Sequence, residues 1–245
     1  MNYRKREKKM EEEKRYDKYG FIHESNFQDY QLSAVDASVV EQWKKIIKNA
    51  DLQGQIPLFK VRRLAREGVP EEMRGKVWCM LANLRTGRAL EQTHKLYEEL
   101  SAKGPSEVDG QIELDLARTF ITNIYFEEKN GEGQRQLSRV LNCYARYDEA
   151  VGYCQGMSFI AGVLLMVLPA NSAFHVLLGV MGEMKTYFAP SMWELLEDGE
   201  IFCGLLAQTM PHVLDKLRKN KVTSKTFSFS FFFLNCFSFL QRWNQ

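Results

Sequence analysis

The chain has 245 residues, of which 45% are hydrophobic and 26% charged, with a formal net charge of +2 at pH 7. These proportions fit one globular domain with tails and a sizeable buried core, and the near balance of charge leaves no electrostatic footprint for nucleic acid. Five scattered cysteines without a C-x-x-C pair, and four widely separated histidines, argue against a disulfide framework or a zinc site and point to a reducing, cytoplasmic setting.

In residues 1–16, basic residues such as Arg4, Lys5, Arg6, Lys8 and Lys9 interleave with Glu7, Glu11, Glu12 and Glu13. That pattern reads as a solvated, frayed or disordered polar segment, and it is too charged for a secretory signal. Lead-in helices are expected over 17–65. There Val39, Val40, Trp43, Ile46 and Ile47 recur at helical spacing, which predicts a helix over 36–49. Residues 60–66 read as a short helix closed by Gly68. Pro70 suits the first turn of the next helix, where a missing N–H is not needed; that helix carries Met73, Val77, Trp78, Met80 and Leu81.

A further helix over 90–100 ends at Gly104-Pro105. Ile112, Leu116 and Phe120 then share a helical face, with Asp115 and Arg118 on other faces. Residues 122–132 read as a loop with Asn130-Gly131 as a turn signal. Leu137, Val140, Leu141 and Tyr144 form the stripe of a buried helix face. Residues 157–168 are uncharged but too few to span a bilayer, so they read as a central core helix. Helical patterning continues over 174–184 and 193–214. With no alternating strand run and no repeat, the fold class is all-α.

Three motifs carry chemical meaning. Arg66-Glu67-Gly68-Val69-Pro70 is followed by Arg74 and Trp78; Ile112, Asp115 and Arg118 follow as I-x-x-D-x-x-R; and Tyr153-Cys154-Gln155-Gly156 contains Y-x-Q. Read by residue type alone, the first motif is structural: a sharp helix-to-helix turn and a core tryptophan. Asp115 and Arg118 alone read as an i, i+3 ion pair on a helix surface, a contact stabilising by a few tenths of a kcal/mol, about 0.3. Gln155 alone reads as a polar residue in a turn that Gly152 and Gly156 permit. An arginine and a glutamine are nevertheless the two groups that hydrolysis of a nucleotide γ-phosphate most needs. The guanidinium neutralises charge on the phosphoryl oxygens and the carboxamide aligns the attacking water.

In order and spacing these motifs resemble those of the TBC (Tre-2/Bub2/Cdc16) domain family of GTPase-activating proteins for Rab GTPases. Asp17-Lys18-Tyr19-Gly20-Phe21 and Trp43 are similar to the lead-in of small single-domain members. The resemblance implies a helical TBC-type domain over 66–218. It also implies that Arg118 and Gln155 act as fingers supplied in trans to a nucleotide bound on a Rab-family small GTPase. Asp115 would then hold the guanidinium, Tyr153 would support by packing and hydrogen bonding, and Ile112 would pack. An arginine finger changes rates by about 10³–10⁵, equivalent to about 4–7 kcal/mol of barrier. GTP and magnesium would belong to the partner, with no cofactor bound by this chain. The implied setting is cytoplasmic with transient visits to endomembranes in vesicle trafficking, without nucleic acid and without stable membrane insertion.

Residues 219–245 depart from that pattern. Where the family continues with amphipathic helix, this chain has a Phe/Ser-rich run, uncharged over 226–240. It reads as an aberrant or alternative C-terminus, a membrane-inserting tail, or an edge strand or hydrophobic plug prone to aggregation. On that reading the C-terminal half of the domain is incomplete. The alternative function is a catalytically impaired form acting only as a Rab-binding or decoy module.

Overall fold

The computed structural model describes residues 16–17, 19–22, 35–53, 56–188 and 192–223. Residues 1–15 and the Phe/Ser-rich run from 224 onward, with the expectations attached to them, lie outside the described residues. Among the described residues there are ten α-helices and no extended sheet: α1 Ala37–Gln53, α2 Leu58–Glu67, α3 Arg74–Thr86, α4 Leu90–Ser101, α5 Asp109–Leu116, α6 Glu132–Tyr147, α7 Met157–Leu165, α8 Ala170–Phe188, α9 Trp193–Thr209 and α10 Pro211–Lys219. The β-structure among them is limited to isolated antiparallel bridges, Tyr16 with Ile22 and Phe21 with Asn123.

Apolar side chains collect into two cores that share α3. The smaller joins Val39, Trp43 and Ile46 of α1 to Val61 and Leu64 of α2, and to Val77 and Met80 of α3. The larger takes Trp78 and Ala82 from neighbouring positions of α3. A helix that turns about 100° per residue can thus face both cores. The α2–α3 connection is locked by the Trp43 indole, whose Nε1–H donates to the Gly68 carbonyl at 2.9 Å. Between Pro70 and α3 the chain inserts a 3₁₀ turn, Glu71–Met73, so Pro70 precedes this turn instead of entering the α-helix.

Helix α8 is the hub of the larger core and packs against α3, α4, α6, α7 and α9. Its Gly179 lies so close to α3 that an added methyl would meet Ala82 at 3.2 Å. The helix also buries His175, whose imidazole lies 3.0 Å from the Thr93 hydroxyl and 3.3 Å from the Cys79 carbonyl. The helical pattern read over 193–214 divides into α9 and α10, with Met210 between them. Proline lacks the N–H an uninterrupted helix would use and instead opens α10.

Candidate functional site

Helix α5 ends by tightening. Arg118 N–H donates to the Asp115 carbonyl at 3.1 Å and Thr119 N–H to the Leu116 carbonyl at 3.3 Å, both three residues back. Phe120 then adopts φ 51° and turns the chain away. Its ring contacts Phe21, Phe126 and Phe159, which secures a conformation unusual for a bulky residue. Arg118 therefore sits on the last turn before a reversal, with its side chain 53% exposed.

Asp115 is not on a surface face, as the helical spacing suggests, but buried at 3% exposure. Its burial is sustained by two donors, one on each carboxylate oxygen. Arg118 Nη2 donates to Oδ1 and the Tyr153 hydroxyl to Oδ2. A buried carboxylate requires such partners, because desolvation alone would disfavour its charge. Burial, then the Asp115 hydrogen bond and charge, push the Tyr153 phenol well above its ordinary range, so it stays a proton donor. Thr119 Oγ1 lies 2.6 Å from the Asp115 carbonyl and 2.9 Å from the Ser158 hydroxyl, tying the end of α5 to α7.

Gln155 follows Tyr153 by two residues, in the loop between α6 and α7. At the base of this loop the Gly152 N–H donates to the Asp148 carbonyl at 2.7 Å, and the Lys185 ammonium of α8 pairs with the Asp148 carboxylate at 2.8 Å. Gly152 at φ 60° and Gly156 at φ 103° give the left-handed turns that bracket residues 153–155. Tyr153 is buried, Cys154 half-buried and Gln155 exposed. The Gln155 carboxamide has no hydrogen-bond partner among the described residues. Burial and the charge of Asp115 raise the Cys154 thiol, which therefore lacks the thiolate character of a nucleophile.

Arg118 and Tyr153 thus converge on one carboxylate. The guanidinium is half exposed, and Gln155, two residues beyond the phenol, is exposed. Ile112 is fully buried in the larger core. Of the upstream motif, Arg66 is exposed on α2, Gly68 and Pro70 are buried at the turn, and Trp78 is buried at 2% exposure.

The upstream motif reaches the chain reversal after Arg118 by a route that spacing does not reveal. Buried Arg74 donates from Nη1 to the Tyr19 hydroxyl at 2.9 Å, and Asn123 Nδ2 donates to the Tyr19 carbonyl at 2.8 Å. Residues 19–22 are laid against the reversal after Arg118, with Ile124 N–H bonded to the Gly20 carbonyl at 2.8 Å. Asn123, Thr119 and Ser158, each fully buried, are the residues that sequence reasoning missed. An asparagine in a turn was the available signal for Asn123; the two hydroxyls offered none.

Among the described residues no group of three or more His, Cys, Asp and Glu side chains could hold a metal ion, and no helix is long and apolar enough to cross a membrane.

A family model for the Rab-GTPase-TBC domain matches residues 71–241, continuing beyond Arg218 into the Phe/Ser-rich run. The chain is similar to mouse TBC1 domain family member 10B, at 33% identity over 213 residues, covering 84% of this chain and 26% of that protein. It is likewise similar to mouse TBC1 domain family member 10A (33% identity; 86% of this chain, 43% of that protein). The Rab GTPase-activating protein tbc-11 of Caenorhabditis elegans is 39% identical over 145 residues (58% of this chain, 15% of that protein). The chain thus spans less than half the length of these relatives. In fold it resembles the Ypt/Rab-GAP domain of Gyp1p, with a TM-score of 0.62 at 19% identity, covering 78% of this chain and 71% of that one. A flagellar RabGAP TBC domain from Chlamydomonas gives 0.57 at 21% identity, covering 83% and 69%.

Proposed function

This chain belongs to the Rab-GTPase-TBC domain family, and we propose that it accelerates GTP hydrolysis on a Rab-family small GTPase by lending Arg118 and Gln155 to the partner's nucleotide. The observation that carries this reading is the shared anchor: the exposed Arg118 guanidinium and the strand of chain leading to Gln155 are both fastened to Asp115. Arg118 neutralises charge on the γ-phosphoryl oxygens as the bond to the leaving group breaks. Gln155 accepts a hydrogen bond from the attacking water and donates one toward the phosphoryl oxygen, which holds the water in line.

Asp115 and Tyr153 position these groups before the partner arrives, so little ordering is required in the transition state. Exposed Leu114, one helical turn before Arg118, and exposed Ile121, just past the reversal, supply apolar contact for the GTPase beside the fingers. Magnesium and GTP are carried by the partner. The protein works in the cytoplasm and visits endomembranes transiently, where its partner is anchored.

Single-turnover hydrolysis across a panel of GTP-loaded Rabs tests the proposal. The full chain should accelerate hydrolysis on at least one of them, and Arg118→Ala should lower the stimulated rate about 10³-fold while binding to the same Rab persists. Binding by the unaltered chain without any rate gain would identify a binding-only module instead.

A further inference from the structure

A polar concavity lies along α5, lined by Asp109, Glu113 and Leu116 and not by Asp115 or Arg118. It is an open groove of about 480 Å³ between the end of α4, α5 and the outer face of α6, within the size range of small-molecule sites. Its floor is set by helical periodicity. Arg135, Arg139, Asn142 and Arg146 fall at i, i+4, i+7 and i+11 on α6, opposite the buried stripe of Leu137, Val140, Leu141 and Tyr144. The axial separations are about 6 Å between the first two arginines and about 10 Å from Arg139 to Arg146.

The groove's charge is unbalanced toward positive. Lys103 adds a fourth cation, against Asp109 and Glu113 in the lining and Glu132, which pairs with Arg135 at 2.9 Å. The Asp109 carboxylate is already engaged, since it accepts the Ser106 N–H at 3.0 Å and the Ser106 hydroxyl at 2.6 Å. Arg146 closes one end by donating to the Gly104 carbonyl at 2.6 Å, and Arg135 closes the other by donating to the Asn130 carbonyl at 2.7 Å. Between them Arg139 is exposed, with the Tyr97 hydroxyl and the Glu132 carboxylate in its surroundings. Like charges along one helix face repel; Glu132 offsets Arg135, and a bound anion would offset Arg139 and Arg146.

We infer that the groove binds a compact polyphosphate of the inositol phosphate class, either free or as a phosphoinositide headgroup. Guanidinium forks match phosphate geometry and bind it with charge-assisted hydrogen bonds. Separations of several ångströms between cations suit several phosphates on one small ring. No described residue lining the groove is aromatic, so it lacks the stacking platform a single-stranded nucleic acid would use.

The test is isothermal titration of the full chain with inositol hexakisphosphate, in parallel with sedimentation on phosphatidylcholine vesicles with and without phosphatidylinositol 4,5-bisphosphate. Saturable, salt-sensitive binding is expected, weakened about tenfold by Arg139→Gln, largely restored by Arg139→Lys and unchanged by Arg118→Ala. Arg139 is exposed, so its loss should shift the melting temperature little. Binding to the soluble phosphate together with vesicle recruitment identifies the lipid headgroup; soluble binding alone identifies the free inositol phosphate. Absence of saturable binding, or binding that Arg139→Gln leaves unchanged, overturns the inference. Neither result depends on GTPase activation.

Discussion

At the scale of single residues, the decisive group is the one whose environment the spacing misassigns. Asp115 sits at i−3 from Arg118 and reads as half of a surface ion pair. It is buried because Tyr153, distant in sequence, supplies a second donor. Such tertiary rescue of a charge has no local signature, whereas the motifs that contain Arg118 and Gln155 are short and contiguous in the chain. The two partners of the ion pair should therefore respond differently to substitution. Arg118 is half exposed but is one of the two donors to a buried carboxylate, so its loss should cost about 1–3 kcal/mol of stability while sharply reducing stimulated hydrolysis. Asp115→Asn and Tyr153→Phe keep their shapes but loosen the anchor. Both should lower the maximal stimulated rate with little change in the Rab concentration at half-saturation, which titrated single-turnover kinetics would reveal. A change confined to half-saturation would mean that the anchor serves docking and not the chemistry.

At the scale of elements, most helices were readable because apolar periodicity and buried faces coincide, as along α6 and α1. The boundaries that escaped were set by backbone chemistry: the 3₁₀ turn before α3 and the break at Pro211. The close approach of the segment before α6 was also invisible. At Gly133 an added methyl would lie 1.9 Å from the Tyr125 carbonyl oxygen, a backbone atom that cannot swing aside. Gly133→Ala should therefore cost about 3 kcal/mol, lowering the melting temperature by about 6–12 °C. A melting temperature within a degree of the unaltered chain would contradict that packing.

Helix α8 adds a pH signature. Burial chiefly, partly opposed by the Cys79 carbonyl, lowers the pKa of His175 below its ordinary 6.5. The unfolded chain therefore takes up this proton more readily than the folded one. The associated stability is present above about 6.5 and is lost as pH falls from there through the folded value. Melting temperatures measured between pH 7.5 and pH 5 should fall on acidification, and less steeply for His175→Gln, which keeps hydrogen-bonding capacity without the titration.

At the scale of the whole molecule, one helix, α8, organises the larger core, and the candidate site is assembled from pieces far apart in the chain: residues 19–22, the end of α5 and the loop before α7. Leu177 lies fully buried in that hub, and Leu177→Ala should cost about 2–5 kcal/mol, measurable by chemical denaturation. The all-α class was legible because no segment alternates. The docking of the lead-in beside the end of α5 was not, because it runs through scattered tertiary contacts, among them the hydrogen bonds from Arg74 and Asn123 to Tyr19 and from Ile124 to Gly20. The central claim is that Gln155 does for the partner's GTP what a GTPase's own water-orienting glutamine would do. The most direct measurement is single-turnover hydrolysis by a responsive Rab whose own glutamine has been replaced by alanine. The expected result is that the full chain still accelerates hydrolysis and that Gln155→Ala abolishes the effect; loss of acceleration on the altered Rab, with the unaltered Rab still stimulated, would contradict it.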